Sequence, residues 1–396
     1  MSNWSKLDQL LVRLTEGDVP GCGVVVMQNN QVVHEAYAGY ADVERGIKVD
    51  ENSIFRHASS TKLFTYVIGM MLYEEGRFRF TDPIGAYLPE WKKPVKVVYT
   101  GRGERKIVPA EREITIRDAF SMTCGLPYCM GPTVHDESNP TIAAMAKGVR
   151  AISENGRIPT LREEVRAASQ APLMFEPGSH WLYGFGSEIV GALVETITGK
   201  TVRQNMKERL IEPLGLQNTA TLLGKEMMER LVTCYEITED HREIPMPHEQ
   251  EDILKPGSVP EGARANLNSN CRDFAVFLSM LANGGTYQGV HLLSRKSIDL
   301  MRTNQLGREA LEDFRSSNGR DLAGYGYGLG VRTLMDKAPG GNNGSIGEFG
   351  WSGGYGTWAL ADPEEHLAIF YAQNTRGQHA EENHILVRQT VYGCLE

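Results

Sequence analysis

The sequence predicts an α+β fold: an antiparallel sheet flanked by N- and C-terminal helices, built from both ends of the chain around an inserted, mostly helical segment. Three observations predict it. β-Rich runs lie near both termini, the stretch between them carries helical periodicity, and one early helix is apolar on nearly every side. At 396 residues the chain exceeds one ordinary compact domain. The expected division is an α/β domain from 1–75 and 286–396 and a mostly helical domain from 76–285, with the active site at their interface.

Gly23 to Met27 and Val32 to Ala38 are β-rich, and the Gln28-Asn29-Asn30-Gln31 between them holds paired Asn that tolerate the positive φ of a tight hairpin. From Thr61 to Glu75, Leu63, Phe64, Val67, Ile68, Met70, Met71 and Leu72 surround the axis, as in a helix buried all round, and Gly76 stops it. Val95 to Ile114 reads as an exposed hairpin. Helices are expected at Ile116 to Met122, Thr141 to Ser153, Leu161 to Ala168, Ser187 to Thr198 ahead of Gly199, and Arg272 to Ala282 ahead of Asn283-Gly284-Gly285. After Gln288 the pattern gives a helix near Ser294 to Thr303, strands at Tyr327 to Leu334, Gly356 to Ala361 and Leu367 to Gln373, and a closing helix from about Glu381. Asp336 to Ser345, with Pro-Gly-Gly-Asn-Asn-Gly, reads as an exposed loop.

Composition narrows the function classes. With 41% hydrophobic and 23% charged residues the chain is ordinary globular protein. A net charge of -9 and the absence of a Lys/Arg block argue against nucleic acid as a partner. The start, Met1-Ser-Asn-Trp-Ser-Lys, leads into a charged stretch without the apolar run of a signal peptide, and no segment approaches a membrane span, so a cytoplasmic protein without membrane partners is expected. The six cysteines (Cys22, Cys124, Cys129, Cys234, Cys271, Cys394) lack metal or C-x-x-C spacing and read as buried free thiols.

Ser59-Ser60-Thr61-Lys62 is the only Ser-x-x-Lys in the chain, and it opens the buried helix. Residues three apart share a helix face, so the Lys62 amine reaches the Ser59 hydroxyl, and a nearby amine is one way to take the proton from an otherwise poor nucleophile. The plainer reading is a helix cap beside a solvated lysine, but a lysine among Ala58, Leu63 and Phe64 calls for a partner. A second element, Glu176-Pro-Gly-Ser-His-Trp-Leu-Tyr183, brings a Tyr to the start of a helix. A third, Gly350-Trp351-Ser352-Gly353-Gly354-Tyr355-Gly356, is a glycine-rich approach to a strand.

The order of these elements resembles the serine β-lactamase and penicillin-binding-protein superfamily, particularly class C-like enzymes and family VIII esterases. The resemblance spans nearly the whole chain: Ile54-Phe-Arg-His-Ala-Ser-Ser-Thr-Lys62, Thr81-Asp-Pro-Ile-Gly-Ala-Tyr-Leu-Pro89, Ser121-Met-Thr-Cys-Gly-Leu-Pro127, Phe175-Glu-Pro-Gly178 with Tyr183, Gly324-Tyr-Gly-Tyr-Gly-Leu-Gly330, and Trp351-Ser-Gly-Gly354 before Asp362-Pro-Glu-Glu365. It implies the β-lactamase/transpeptidase-like fold, a Ser59 acyl-enzyme, proton transfer by Lys62 and Tyr183, and an oxyanion hole from the N–H groups of Ser59 and Gly354. No cofactor and no metal are implied.

Two departures bear on the substrate, a small-molecule ester or amide. The family's Tyr-x-Asn reads Tyr183-Gly184-Phe185, and its Lys-Thr-Gly or His-x-Gly reads Trp351-Ser352-Gly353. Aromatics there remove donors and add apolar wall, so Phe185, Trp351, Ser352 and Gly353 are the expected substrate-binding residues and carboxylic ester hydrolysis the expected activity. Core packing is the plain reading of both aromatics. A β-lactamase or D-amino-acid peptidase or amidase of the same fold is the alternative, and a non-catalytic ligand-binding protein the second. Thr133 to Glu164 and Glu236 to Pro260 are expected, from the resemblance, to shape the acyl pocket. The oligomeric state is left open.

Other patterns carry less. Gly350-x-Ser352-x-Gly354 matches a nucleophile elbow, but too little chain follows for the acid and His that such a fold needs. His248-Glu-Gln-Glu-Asp252 and His379-Ala-Glu-Glu-Asn-His384 lack metal spacing, and the alternating glycines 324, 326, 328 and 330 miss the dinucleotide pattern. His57 and His180 flank the motif residues and read as cleft-lining or structural.

Overall fold

The computed structural model describes residues 4–101, 104–128, 138–153, 159–238, 243–246, 267–317, 322–376 and 380–395. Its centre is an eight-stranded antiparallel sheet contributed by both ends of the chain. The strands are β1 (Gly21–Gln28), β2 (Gln31–Asp42), β3 (Ile47–Lys48), β4 (Tyr325–Tyr327), β5 (Arg332–Leu334), β6 (Phe349–Gly353), β7 (Thr357–Asp362) and β8 (Leu367–Gln373), in the order β4-β5-β6-β7-β8-β1-β2-β3. The first hairpin turns on Asn29 (φ 51°) and Asn30 (φ 62°), as the paired Asn predict.

Alternation along β1 separates two cores. Cys22, Val24 and Val26 face α1 (Ser5–Thr15) and the C-terminal helix α6 (Ala380–Tyr392), meeting Leu7, Leu10, Leu11, Val387 and Val391. Val25 and Met27 face the other core, together with Ala359, Ala361, Phe370 and the main helices α2 (Thr61–Glu74), α3 (Gly186–Thr198) and α4 (Cys271–Ala282). Burial of α2 is nearly complete: Thr61 to Met70 are all buried, as its all-round apolar pattern predicts. Helix α4, within the 76–285 stretch, packs on β1, β7 and β8.

The expected hairpin appears as Val95–Tyr99 paired with Arg105–Pro109, with Tyr99 and Ile107 exposed. Three expectations are corrected. The run 327–334 is not one strand: Gly328 N–H donates to Val331 O at 2.7 Å, folding it into the β4 and β5 pair. The approach 350–353 is itself β6, an inner strand paired with β5 and β7. The 336–345 loop has no helix or strand, yet Asn342 is buried because its Nδ2 donates to the Tyr325 hydroxyl at 2.6 Å. Among the described residues no helix is long and apolar enough to cross a membrane.

Candidate active site

Ser59 lies in a 3-10 turn, Ala58–Ser60, that runs directly into α2. Ala58 takes φ 43°, a left-handed conformation that costs an L-residue roughly 1–2 kcal/mol, so the surroundings must hold the turn. They do so through His57 O, which accepts from Ser60 N–H at 3.0 Å and from Thr357 Oγ1 at 3.2 Å. Ser60 Oγ and Thr357 Oγ1 are 3.0 Å apart. Strand β6 passes so close that a Cβ on Gly353 would stand 2.1 Å from His57 O. Gly354 follows in an exposed turn closed by Gly356 N–H on Gly353 O at 2.9 Å. Thus the glycine-rich segment and the serine turn lie side by side.

One helical turn beyond Ser59, Lys62 is 1% exposed and its Nζ donates to Ser59 Oγ at 2.8 Å. That buried amine also faces two aromatic rings, with Nζ 5.2 Å from the centre of Tyr183 and 5.3 Å from that of Tyr128. The two tyrosine rings meet edge to face at 5.2 Å. Burial first, then the charges of Tyr183 and Glu188, holds the Tyr128 phenol well above its ordinary value. It therefore stays protonated at neutral pH.

Tyr183 sits in the loop before α3, and the 121–127 segment fixes that loop by backbone pairing. Leu182 N–H donates to Met122 O at 3.0 Å and Phe185 N–H to Leu126 O at 3.1 Å. Gly184 fits between them, where a Cβ would come within 2.0 Å of Leu126 O. Across the cleft Trp351 Nε1 donates to the Tyr183 hydroxyl at 3.1 Å, with ring centres 5.4 Å apart.

Ser59, Lys62, Tyr183, Trp351 and the Ser352-Gly353-Gly354 strand end are therefore brought together, and Phe185 is not. Phe185 is 3% exposed and belongs to the large core, because it immediately precedes α3, whose first turns are wholly buried. Trp351 is 2% exposed, so it meets the phenol oxygen of Tyr183 instead of presenting an open apolar wall. Ser352 is half-buried within β6, opposite Trp358, and not on a strand-to-helix elbow.

His57 is fully buried between Phe274 and Phe370, and burial pushes its pKa down to about 3, so it is a neutral structural residue. His180 is half-exposed, and its Nδ1 lies 2.9 Å from Asp313 Oδ2. Two residues escaped the sequence reading. Tyr128 follows the 121–127 motif directly. Glu188, 1% exposed with Oε2 accepting from Ser187 Oγ at 2.7 Å, had a legible signal: an acid heading the apolar run Ile189 to Val194. Among the described residues no His/Cys/Asp/Glu group is arranged for a metal. The His248 to Asp252 cluster, His379 and Cys129 lie outside the described residues, as do 133–137 and 154–158 of the first stretch assigned to the acyl pocket and 239–242 and 247–260 of the second. His384 is buried, with Nε2 facing Gly356 O at 3.3 Å. Cys22, Cys124, Cys234, Cys271 and Cys394 are buried and form no disulfide among the described residues, as expected.

A hydroxyl, a buried amine and a phenol meeting in one crevice form an activated-nucleophile arrangement. The Beta-lactamase family model matches residues 7–392. Protein Rv1367c of Mycobacterium tuberculosis is 31% identical over 364 residues, spanning 90% of this chain and 86% of that protein. Esterase EstB of Burkholderia gladioli is 24% identical over 382 residues, or 91% of this chain and 88% of that one. The structure of EstCE1, a hydrolase with promiscuous acyltransferase activity, superposes with a TM-score of 0.78 at 23% identity, covering 98% of both chains.

Proposed function

From the premise that the chain belongs to the Beta-lactamase family and is a serine hydrolase, we propose that it hydrolyses carboxylic esters through an acyl-enzyme on Ser59. The observation that carries this reading is the 2.8 Å hydrogen bond between Lys62 Nζ and Ser59 Oγ, made by an amine with almost no access to water.

In this reaction the Lys62 and Tyr183 pair takes the Ser59 proton as Oγ bonds to the ester carbonyl carbon. The carbonyl π pair moves onto oxygen, where the N–H groups of Ser59 and Gly354 receive the charge. Collapse breaks the C–O bond to the alcohol, which leaves with the proton returned by Tyr183. Water then gives a proton to the same pair as its oxygen bonds to the acyl carbon, the C–Oγ bond breaks, and the pair returns that proton to Ser59 Oγ as the carboxylic acid leaves. The Trp351 N–H donated to the Tyr183 oxygen orients the phenol beside Lys62, in keeping with this role.

Preference for esters over lactams is supported by the two aromatics. Trp351 fills the position where related lactam hydrolases carry a polar side chain, and Phe185 is withdrawn into the core. The resemblance of EstB, named an esterase, points the same way. A fluorophosphonate probe should add one label per chain to the wild type and none to Ser59→Ala; equal labelling of both rejects the nucleophile. Turnover of p-nitrophenyl butyrate well above that of nitrocefin is expected, and the reverse order would favour the amide-hydrolase reading.

A further inference from the structure

Beside Tyr183 lies a recess of ≈ 370 Å³ lined by Phe175, His180, Trp181, Tyr183, Asp313 and the Ser316–Ser317 pair. Tyr183 is at once a wall of this recess and a partner of Lys62. If Tyr183 returns the proton to the departing oxygen, the departing group lies against Tyr183. The recess is then where the alcohol portion of the ester sits, a conclusion that rests on the ester-hydrolase reading above.

The chemistry of the recess is that of an acceptor. Asp313, on helix α5 (Arg308–Ser316), has only acceptor oxygens, and its Oδ2 lies 2.9 Å from His180 Nδ1 while also receiving Trp181 N–H at 3.1 Å. His180 Nδ1 therefore donates to Asp313 and orients its carboxylate. Ser316 Oγ donates to Glu312 O at 2.8 Å, and Ser317 Oγ donates to Phe314 O at 2.8 Å. Both hydroxyl hydrogens are therefore engaged and the oxygens remain as acceptors. Among the described lining residues there is no Lys or Arg. Phe175 and Trp181 add aromatic surface, which suits both an apolar body and a cation.

We infer that this recess is a leaving-alcohol subsite that selects alcohols bearing a protonated amine, recognised by Asp313 and the aromatic wall. The test compares butyrate esters of three alcohols of matched size: 3-(aminomethyl)benzyl, 3-methylbenzyl and 3-carboxybenzyl. The aminomethyl ester should exceed the methyl ester in kcat/KM by about fivefold, the scale of a part-exposed charge pair, and the carboxyl ester should be the poorest. In Asp313→Asn the aminomethyl-to-methyl ratio should fall to about one. That ratio is internal to each preparation, so partial misfolding does not alter it. Turnover of all three esters without discrimination, or a ratio unchanged in Asp313→Asn, overturns the subsite alone. Absence of turnover of every ester overturns the ester reading. In that event calorimetry with the three free alcohols still tests the recess, and equal affinities would reject it.

Discussion

At Trp351 the indole N–H points at the oxygen of Tyr183 across 3.1 Å, and this one contact replaces the apolar wall that the residue type suggested. Trp351→Phe keeps the ring and deletes the donor that holds the Tyr183 hydroxyl in place, so kcat/KM for an aryl ester should fall by roughly tenfold. An unchanged kcat/KM would mean that the contact only packs the ring. Lys62 is a complementary case: its spacing from Ser59 was readable because three residues of helix always bring side chains to one face. Its burial between two tyrosines was not, since neither Tyr128 nor Tyr183 is its neighbour in sequence.

Among the elements, the serine turn depends on the strands beside it. Gly353→Ala would place a methyl 2.1 Å from His57 O and 2.3 Å from Thr357 Oγ1, and neither atom belongs to a flexible side-chain end. The turn and β6 must part, and ester turnover should fall by about a hundredfold or more while the thermal midpoint drops only a few degrees. Unchanged kcat in this variant would show that the strand end plays no part in the site. His57 supplies a second prediction, on stability. Its folded pKa of about 3 lies below the ordinary 6.5, so the unfolded chain binds more protons between those values and stability falls as pH drops through that window. The contribution is about 1.4 kcal/mol per pH unit, and urea midpoints of His57→Gln should fall less steeply from pH 6 to pH 4 than those of wild type. Elements with strong periodicity, such as α2 and the Asn29-Asn30 hairpin, were legible. Helix α1 was not, because Lys6, Asp8 and Arg13 obscure a stripe of Leu7, Leu10 and Leu11 that needs the sheet to give it meaning.

For the molecule as a whole, the sheet joins strands from residues 21–48 to strands from residues 325–373, and a buried polar cluster secures the late strands to the last helix. The Tyr325 hydroxyl donates to Glu348 Oε1 at 2.5 Å and accepts from Asn342 Nδ2 at 2.6 Å and Arg388 Nη1 at 2.9 Å. Glu348 is fully buried, which pushes its carboxyl upward against the opposing pull of Arg332. Tyr325→Phe strands three partners at once and should cost about 2–4 kcal/mol by denaturant titration, whereas a loss below about 0.5 kcal/mol would show the cluster to be replaceable. By itself the sequence determined what depends on short spacing: the helix, the hairpin, and the reach of Lys62 to Ser59 within a single turn. Motif order also marked Tyr183 and the glycine-rich strand end as candidates. Tertiary structure alone decided that Trp351 meets a phenol 168 residues away, that Phe185 turns into the core, and that His180 finds Asp313. Backbone periodicity fixes neighbours within a turn or a strand, but contacts between distant segments exist only once two faces of the sheet have been buried.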